Sequence, residues 1–177
     1  MKTICTITLV GVAFFSGLLH AQFGPTGTTT ISVSVGSEAS LRVDTATTTL
    51  TTAGTFANYT GTTNLTYRIR TSNPGGNGTI TARVTTDFSP AGGPSVASPP
   101  TAGDVLEYTC TISAPGTACA GTQTASTAAD TSVATFGADA ASVSAGNSGS
   151  VAWTLTNDPV YDTGTYTAVV TFTIAAT

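Results

Sequence analysis

Apolar side chains fall on every second position in run after run of this chain. In "GTYTAVVTFTI", Tyr166, Ala168, Val170, Phe172 and Ile174 alternate with residues that are mostly Thr. Period two places one set on a dry face and the other on a wet face of a strand. The same pattern recurs in "TTTISVSV" (Ile31, Val33, Val35), "ASLRV" (Leu41, Val43), "VLEYTCTI" (Leu106, Tyr108, Cys110, Ile112) and "GSVAWTLT" (Val151, Trp153, Leu155). "SVATF" adds a shorter candidate. The pair "NLTYRIRT" and "TITARVTT" flanks the turn-forming "SNPGGNG", which predicts a hairpin. No apolar pattern with helical spacing persists; Ala128 to Ala141 comes nearest and is full of Thr and Ser. The β-branched residues that dominate suit a pleated, half-buried surface. The expectation is an all-β protein: an antiparallel immunoglobulin-like β-sandwich of about seven to nine strands. Its closing strand is expected to pair beside the Trp153 strand, or else with another chain, because an unpaired apolar edge invites association.

The start of the chain reads differently. "MKTICTITLVGVAFFSGLLHAQ" has Lys2, an apolar stretch from Ile4 to Leu19, and the small residue Ala21 before Gln22. That layout predicts a cleavable signal peptide over 1–21 and a secreted or cell-surface product. The apolar stretch is shorter than the roughly 20 residues that span a bilayer. A single domain is expected over 22–177, with 22–36 serving either as its first strand or as a strand donated to a neighbour.

Removing 1–21 takes away the only Lys, His and Met and one of three cysteines. Four arginines then face nine acidic residues, so a basic nucleic-acid footprint is absent. Charged residues make up 8% of the chain, against about 25% in ordinary globular proteins. The wet faces must therefore be built from Thr, Ser, Asn and Gly. Cys110 and Cys119 remain, and oxidising conditions outside the cell predict a disulfide between them. Closing so short a loop is worth roughly 2–3 kcal/mol.

Candidate chemistry is sparse. "DTG" at Asp162–Gly164 spells the catalytic turn of aspartic proteases, which work with two carboxylates sharing a proton. Asp and Gly also make an ordinary turn into the strand that follows, and this is the reading preferred. Without His or Lys a hydroxyl nucleophile lacks its usual base. The carboxylates Asp87, Asp104, Glu107, Asp158 and Asp162 have no spacing that pairs two of them for glycoside hydrolysis. Asn157, Asp158 and Asp162 offer three oxygens where Ca²⁺ takes six to eight. The expectation is a non-enzyme with no cofactor and no bound metal. "NYT", "NLT" and "NGT" (Asn58, Asn64, Asn77) fit the glycosylation sequon, as a Thr-rich chain readily does. The T-x-T tripeptides lack the regular spacing that an ice-binding array requires. The Pro-rich stretch Ser89–Gly103 is too long for a simple turn and cannot be a central strand.

Gly164–Ile174, a Gly-x-Tyr step followed by alternating Thr and β-branched residues, resembles the last strand of spore coat U-like proteins and archaic chaperone–usher pilins. "WTLTNDP", Trp153–Pro159, is similar to the signature of bacterial WxL surface domains. The likeness covers one or two strands. It implies an exported sandwich concerned with assembly or adhesion. In such assembly a neighbour's N-terminal segment completes the fold, and Ile31, Val33 and Val35 would be the donated side chains. The expected function is thus a structural or adhesive fibre subunit that self-associates. The alternative is a monomeric module binding a ligand such as carbohydrate through Tyr59, Tyr161 or the Pro-rich loop.

Overall fold

The computed structural model describes residues 26–177; the expected signal peptide lies outside them. The chain divides into two units, Met1–Ser34 and Val35–Thr177. Of the first, residues 26–34 are described and contain neither helix nor strand. The second is all-β, with ten strands in two antiparallel sheets and no helix among the described residues.

The strands are β1 (Glu38–Val43), β2 (Thr51–Thr52), β3 (Tyr59–Arg70), β4 (Gly78–Ser89), β5 (Leu106–Ile112), β6 (Thr117–Ala118), β7 (Gln123–Thr124), β8 (Thr131–Phe136), β9 (Asn147–Leu155) and β10 (Thr167–Ala176). One sheet runs β1-β3-β9-β5-β7, with β2 on the same side of β3 as β1. The other runs β10-β4-β8-β6. The alternation read from the sequence sets which residues face inward. Leu65, Tyr67, Ile69, Ile80, Ala82, Val84, Leu106, Tyr108, Val151, Trp153 and Leu155 are all buried. Aromatic side chains join the layers: Tyr67 meets Phe136 edge-on at 5.2 Å, and Trp153 lies 6.4 Å from Phe172. The indole N–H, buried with its ring, donates to the Thr63 hydroxyl at 2.9 Å.

Three expectations are corrected. The β3 and β4 segments do not form a hairpin: β3 lies in the first sheet and β4 in the second. "SNPGGNG" carries the chain across the core. Thr71 and Ser72 anchor this crossing through Thr71 N–H to the Ala140 carbonyl and Ser72 N–H to the Thr177 carbonyl, both at 3.0 Å. Two strands each with one dry face can pair side by side or stack face to face, and Leu65, Tyr67 and Ile69 take the second course against Ile80, Ala82 and Val84. Next, β10 pairs with β4 rather than with β9, the Trp153 strand. Phe172 meets Trp153 across the core instead. Last, "TTTISVSV" carries no strand; the first strand begins at Glu38.

Candidate functional site: an open edge and the apical loops

The register defines two ends. Tyr59, Leu106 and Leu155 lie side by side in one sheet, and Ser89 pairs with Thr167 in the other; this is the apical end. Arg70 pairs with Glu38, and Gly78 with Ala176, at the basal end.

The two lateral margins of the sandwich are built differently. At one margin the edge strands β6 and β7 are two residues each, too short to template another strand. There the predicted disulfide forms between Cys110 on β5 and Cys119 just after β6, with Cα atoms 5.6 Å apart, and ties the two sheets together. At the other margin β1 and β10 run close to one another, but among the described residues no ladder joins them. Among the described residues β10 pairs only with β4, and none of them pairs with its opposite edge along its ten-residue length. From Val170 to Ala176 its register with β4 is unbroken; the shifts lie between Thr167 and Val170. Its sequence "TAVVTFTIAA" holds no charge and no Pro, the two side-chain devices that commonly guard an edge. The inward residues beside it are only half-buried: Ala39 and Leu41 on β1, and Ala168, Val170, Phe172, Ile174 and Ala176 on β10. Val169 is 53% exposed.

The predicted donor residues Ile31, Val33 and Val35 are 90%, 85% and 63% exposed. Three apolar side chains spaced at period two and left in water are the reverse of ordinary burial. Arg70 Nε donates to the Gly36 carbonyl at 2.7 Å, which fixes the chain's entry into the sandwich at the basal end.

Three loops are hydrogen-bonded together at the apical end. Asn157 Nδ2 donates to the Ala57 carbonyl at 3.2 Å, Thr156 Oγ1 to the Gly103 carbonyl at 3.3 Å, and Asp162 N–H to the Gly92 carbonyl at 2.8 Å. The Pro-rich stretch is organised by one carboxylate. Asp87 accepts from the Phe88 and Val96 N–H groups at 2.8 Å, from Ala97 N–H at 3.0 Å and from the Ser95 hydroxyl at 2.7 Å. Partial burial pushes its carboxyl up, but these four bonds outweigh that and hold it below the usual range. Glycine is required where this loop packs: Gly92 has φ +95° and lies against Asp162, and a Cβ at Gly93 would enter the Tyr166 ring. A depression of about 440 Å³ lies between the loop and Val160–Asp162, with Phe88, Pro94 and Pro100 in its wall.

The candidate carboxylates and aromatics scatter. Asp162 of "DTG" is exposed, and its carbonyl accepts the Tyr166 hydroxyl at 2.8 Å; it sits in the bent loop that leads into β10. Asp104 is 3% exposed and close to Asp158. The Val160 N–H and then the Thr101 hydroxyl hold the Asp158 carboxyl below its ordinary range. Tyr161 is half-buried with Asp104 near its hydroxyl, which makes no hydrogen bond of ordinary geometry among the described residues. Burial, and then the neighbouring Asp104 charge, push that phenol well above its usual value. Among the described residues no three His, Cys, Asp or Glu side chains converge as a metal site. Tyr59 is also half-buried, so neither predicted tyrosine offers an open ring. Phe56 does, at an exposed loop position with φ 52°; it lies outside every alternating run, so no periodicity in the sequence marks it. No helix among the described residues is long and apolar enough to cross a membrane. No family model, no curated protein and no solved structure matches this chain.

Proposed function

We propose that the protein is an exported structural subunit that assembles into surface fibres by β-strand addition. The β10 edge carries the reading: ten residues, uncharged, unpaired on one side among the described residues and flanked by half-buried apolar side chains. Its partner is the segment Thr28–Val35 of a second copy. Eight extended residues reach about 26 Å, close to the roughly 23 Å of the unbroken β10 register. Ile31, Val33 and Val35 would cover Val170, Phe172 and Ile174, and backbone bonds would supply the affinity. The resemblance of the last strand to pilin termini agrees with this assignment, as does the apolar start of the chain.

Ile31→Arg tests it. Ile31 is 90% exposed, so the subunit keeps its melting curve to within about 0.5 kcal/mol, while fibres seen by negative-stain microscopy disappear. A variant that still forms filaments ends the proposal. The second reading, a monomeric binding module, draws on the apical depression and the exposed Phe56. It predicts a monodisperse secreted particle at any concentration and a glycan-array signal lost in Phe56→Ala.

A further inference from the structure

The apical depression sets one carboxylate in an otherwise uncharged, largely apolar wall. Phe88, Pro94, Pro100 and Val160 supply hydrocarbon, and Asp162 is the one charged side chain lining it among the described residues. Val160 is 58% exposed, so an apolar surface lies in water directly beside a charge. At about 440 Å³ the space is in the range of small-ligand sites, which join apolar walls to a few placed polar groups. The backbone holds Asp162 in position: its N–H donates to the Gly92 carbonyl at 2.8 Å, and its carbonyl accepts the Tyr166 hydroxyl. Its side chain is exposed, and neither ion pair among the described residues involves it.

The surroundings set the sign of the ligand. Glu107, one residue from Leu106, and the neighbours Asp104 and Asp158 belong to the same end. The arginines stand elsewhere. Arg42 pairs with Thr66, Arg68 and Arg70 lie in the basal part of β3, and Arg83 is opposite Thr171 in the middle of β4. Carboxylates gathered at a water-facing rim draw cations. A cation on an apolar stem matches both parts of the depression.

The packing of Asp162 chooses between ammonium and guanidinium. Its Oδ2 lies against Gly92, in the space that a Cβ there would take, which covers one edge of the carboxylate. A guanidinium is best met by two open oxygens in a fork, whereas an ammonium is a point charge and needs one. After Lys2, in the expected signal peptide, the chain has no lysine, so a second mature copy does not supply the group.

We propose that the apical depression binds a lysyl side chain of another protein, with its aliphatic stem on Phe88, Pro94 and Val160 and its ammonium on Asp162. No residue of β10 lines the depression, so this goes beyond strand addition and does not rest on it. One solvated ion pair and one stem make a weak site, with Kd about 1 mM for a single lysine.

The probe is Nα-acetyl-lysine methylamide, titrated to about 20 mM into the full secreted chain while amide NMR shifts are followed. Saturable shifts are expected at Gly92, Gly93, Val160 and Asp162. The Nε-acetylated probe keeps the stem and loses the charge, and should bind about fivefold more weakly. Asp162→Asn retains the backbone bond to Gly92 and the melting curve, and should weaken the lysine probe by about the same factor. The arginine counterpart should bind more weakly than lysine. The absence of saturable shifts, equal binding of the acetylated or arginine probe, or unchanged affinity in the folded Asp162→Asn variant overturns the proposal. A neutral glycan that shifts these amides where the lysine probe does not overturns it in favour of the carbohydrate reading.

Discussion

The two margins of the sandwich share a composition and differ in how they end. At the β6–β7 margin the edge strands are two residues long and a disulfide joins the sheets. At the β1–β10 margin a ten-residue strand of high β propensity presents backbone that no described residue pairs with, and no covalent or hydrogen bond among the described residues closes the seam. Both margins are rich in Thr and Ala, so composition does not make the difference. Strand length and the placement of one cysteine pair do. A fold that ends one margin in two-residue strands and a disulfide, and leaves the other without a single charge on β10, has an edge suited to pairing.

Removing the staple is the largest perturbation of this contrast. Cys110→Ser with Cys119→Ser opens a loop of sequence separation 9, and urea unfolding should show a loss of about 2–3 kcal/mol. A loss below about 1 kcal/mol would mean that the short strands close that margin unaided. A smaller effect is expected beside the open margin, at the apical end of β4. Asp87→Asn weakens four charge-assisted bonds and should cost about 1 kcal/mol. The carboxyl's folded value is depressed, so its contribution is present above the unfolded value of about 3.9 and is lost as pH falls below it. Stability of the wild type measured from pH 6 to pH 2 should therefore fall more steeply than that of Asp87→Asn; parallel profiles would contradict the assignment. Smallest in stability is Thr173→Lys on exposed β10. It should change unfolding by no more than about 0.5 kcal/mol, yet install the charge that guards natural edges. Sedimentation should then show a monomer at concentrations where the wild type associates, and unchanged association would show that β10 is not the pairing edge.

The apical region teaches a related lesson about sequence. The long Pro-rich stretch was legible as a loop, but not the fact that Asp87 binds it through four hydrogen bonds. That needs Ser95, Val96 and Ala97 to return to a residue eight to ten positions earlier, and no local pattern encodes the return. Asp104 and Asp158, 54 positions apart in the chain, become neighbours for the same reason. Phe56 escaped notice because an isolated aromatic in a loop carries no periodicity. The disulfide, by contrast, was readable from two cysteines in a chain expected to be exported.

Alternation fixed which side of each strand faces the core, because period two is a property of the extended backbone itself: Tyr67, Ile80, Tyr108, Val151 and Trp153 are buried as the pattern requires. Pairing was decided elsewhere. A strand with one dry face is equally content beside its neighbour or stacked upon it, so whether β3 and β4 formed a hairpin, whether β10 lay against β9, and whether Ile31 to Val35 joined the sandwich depended on packing across the core and on hydrogen bonds between residues distant in the chain.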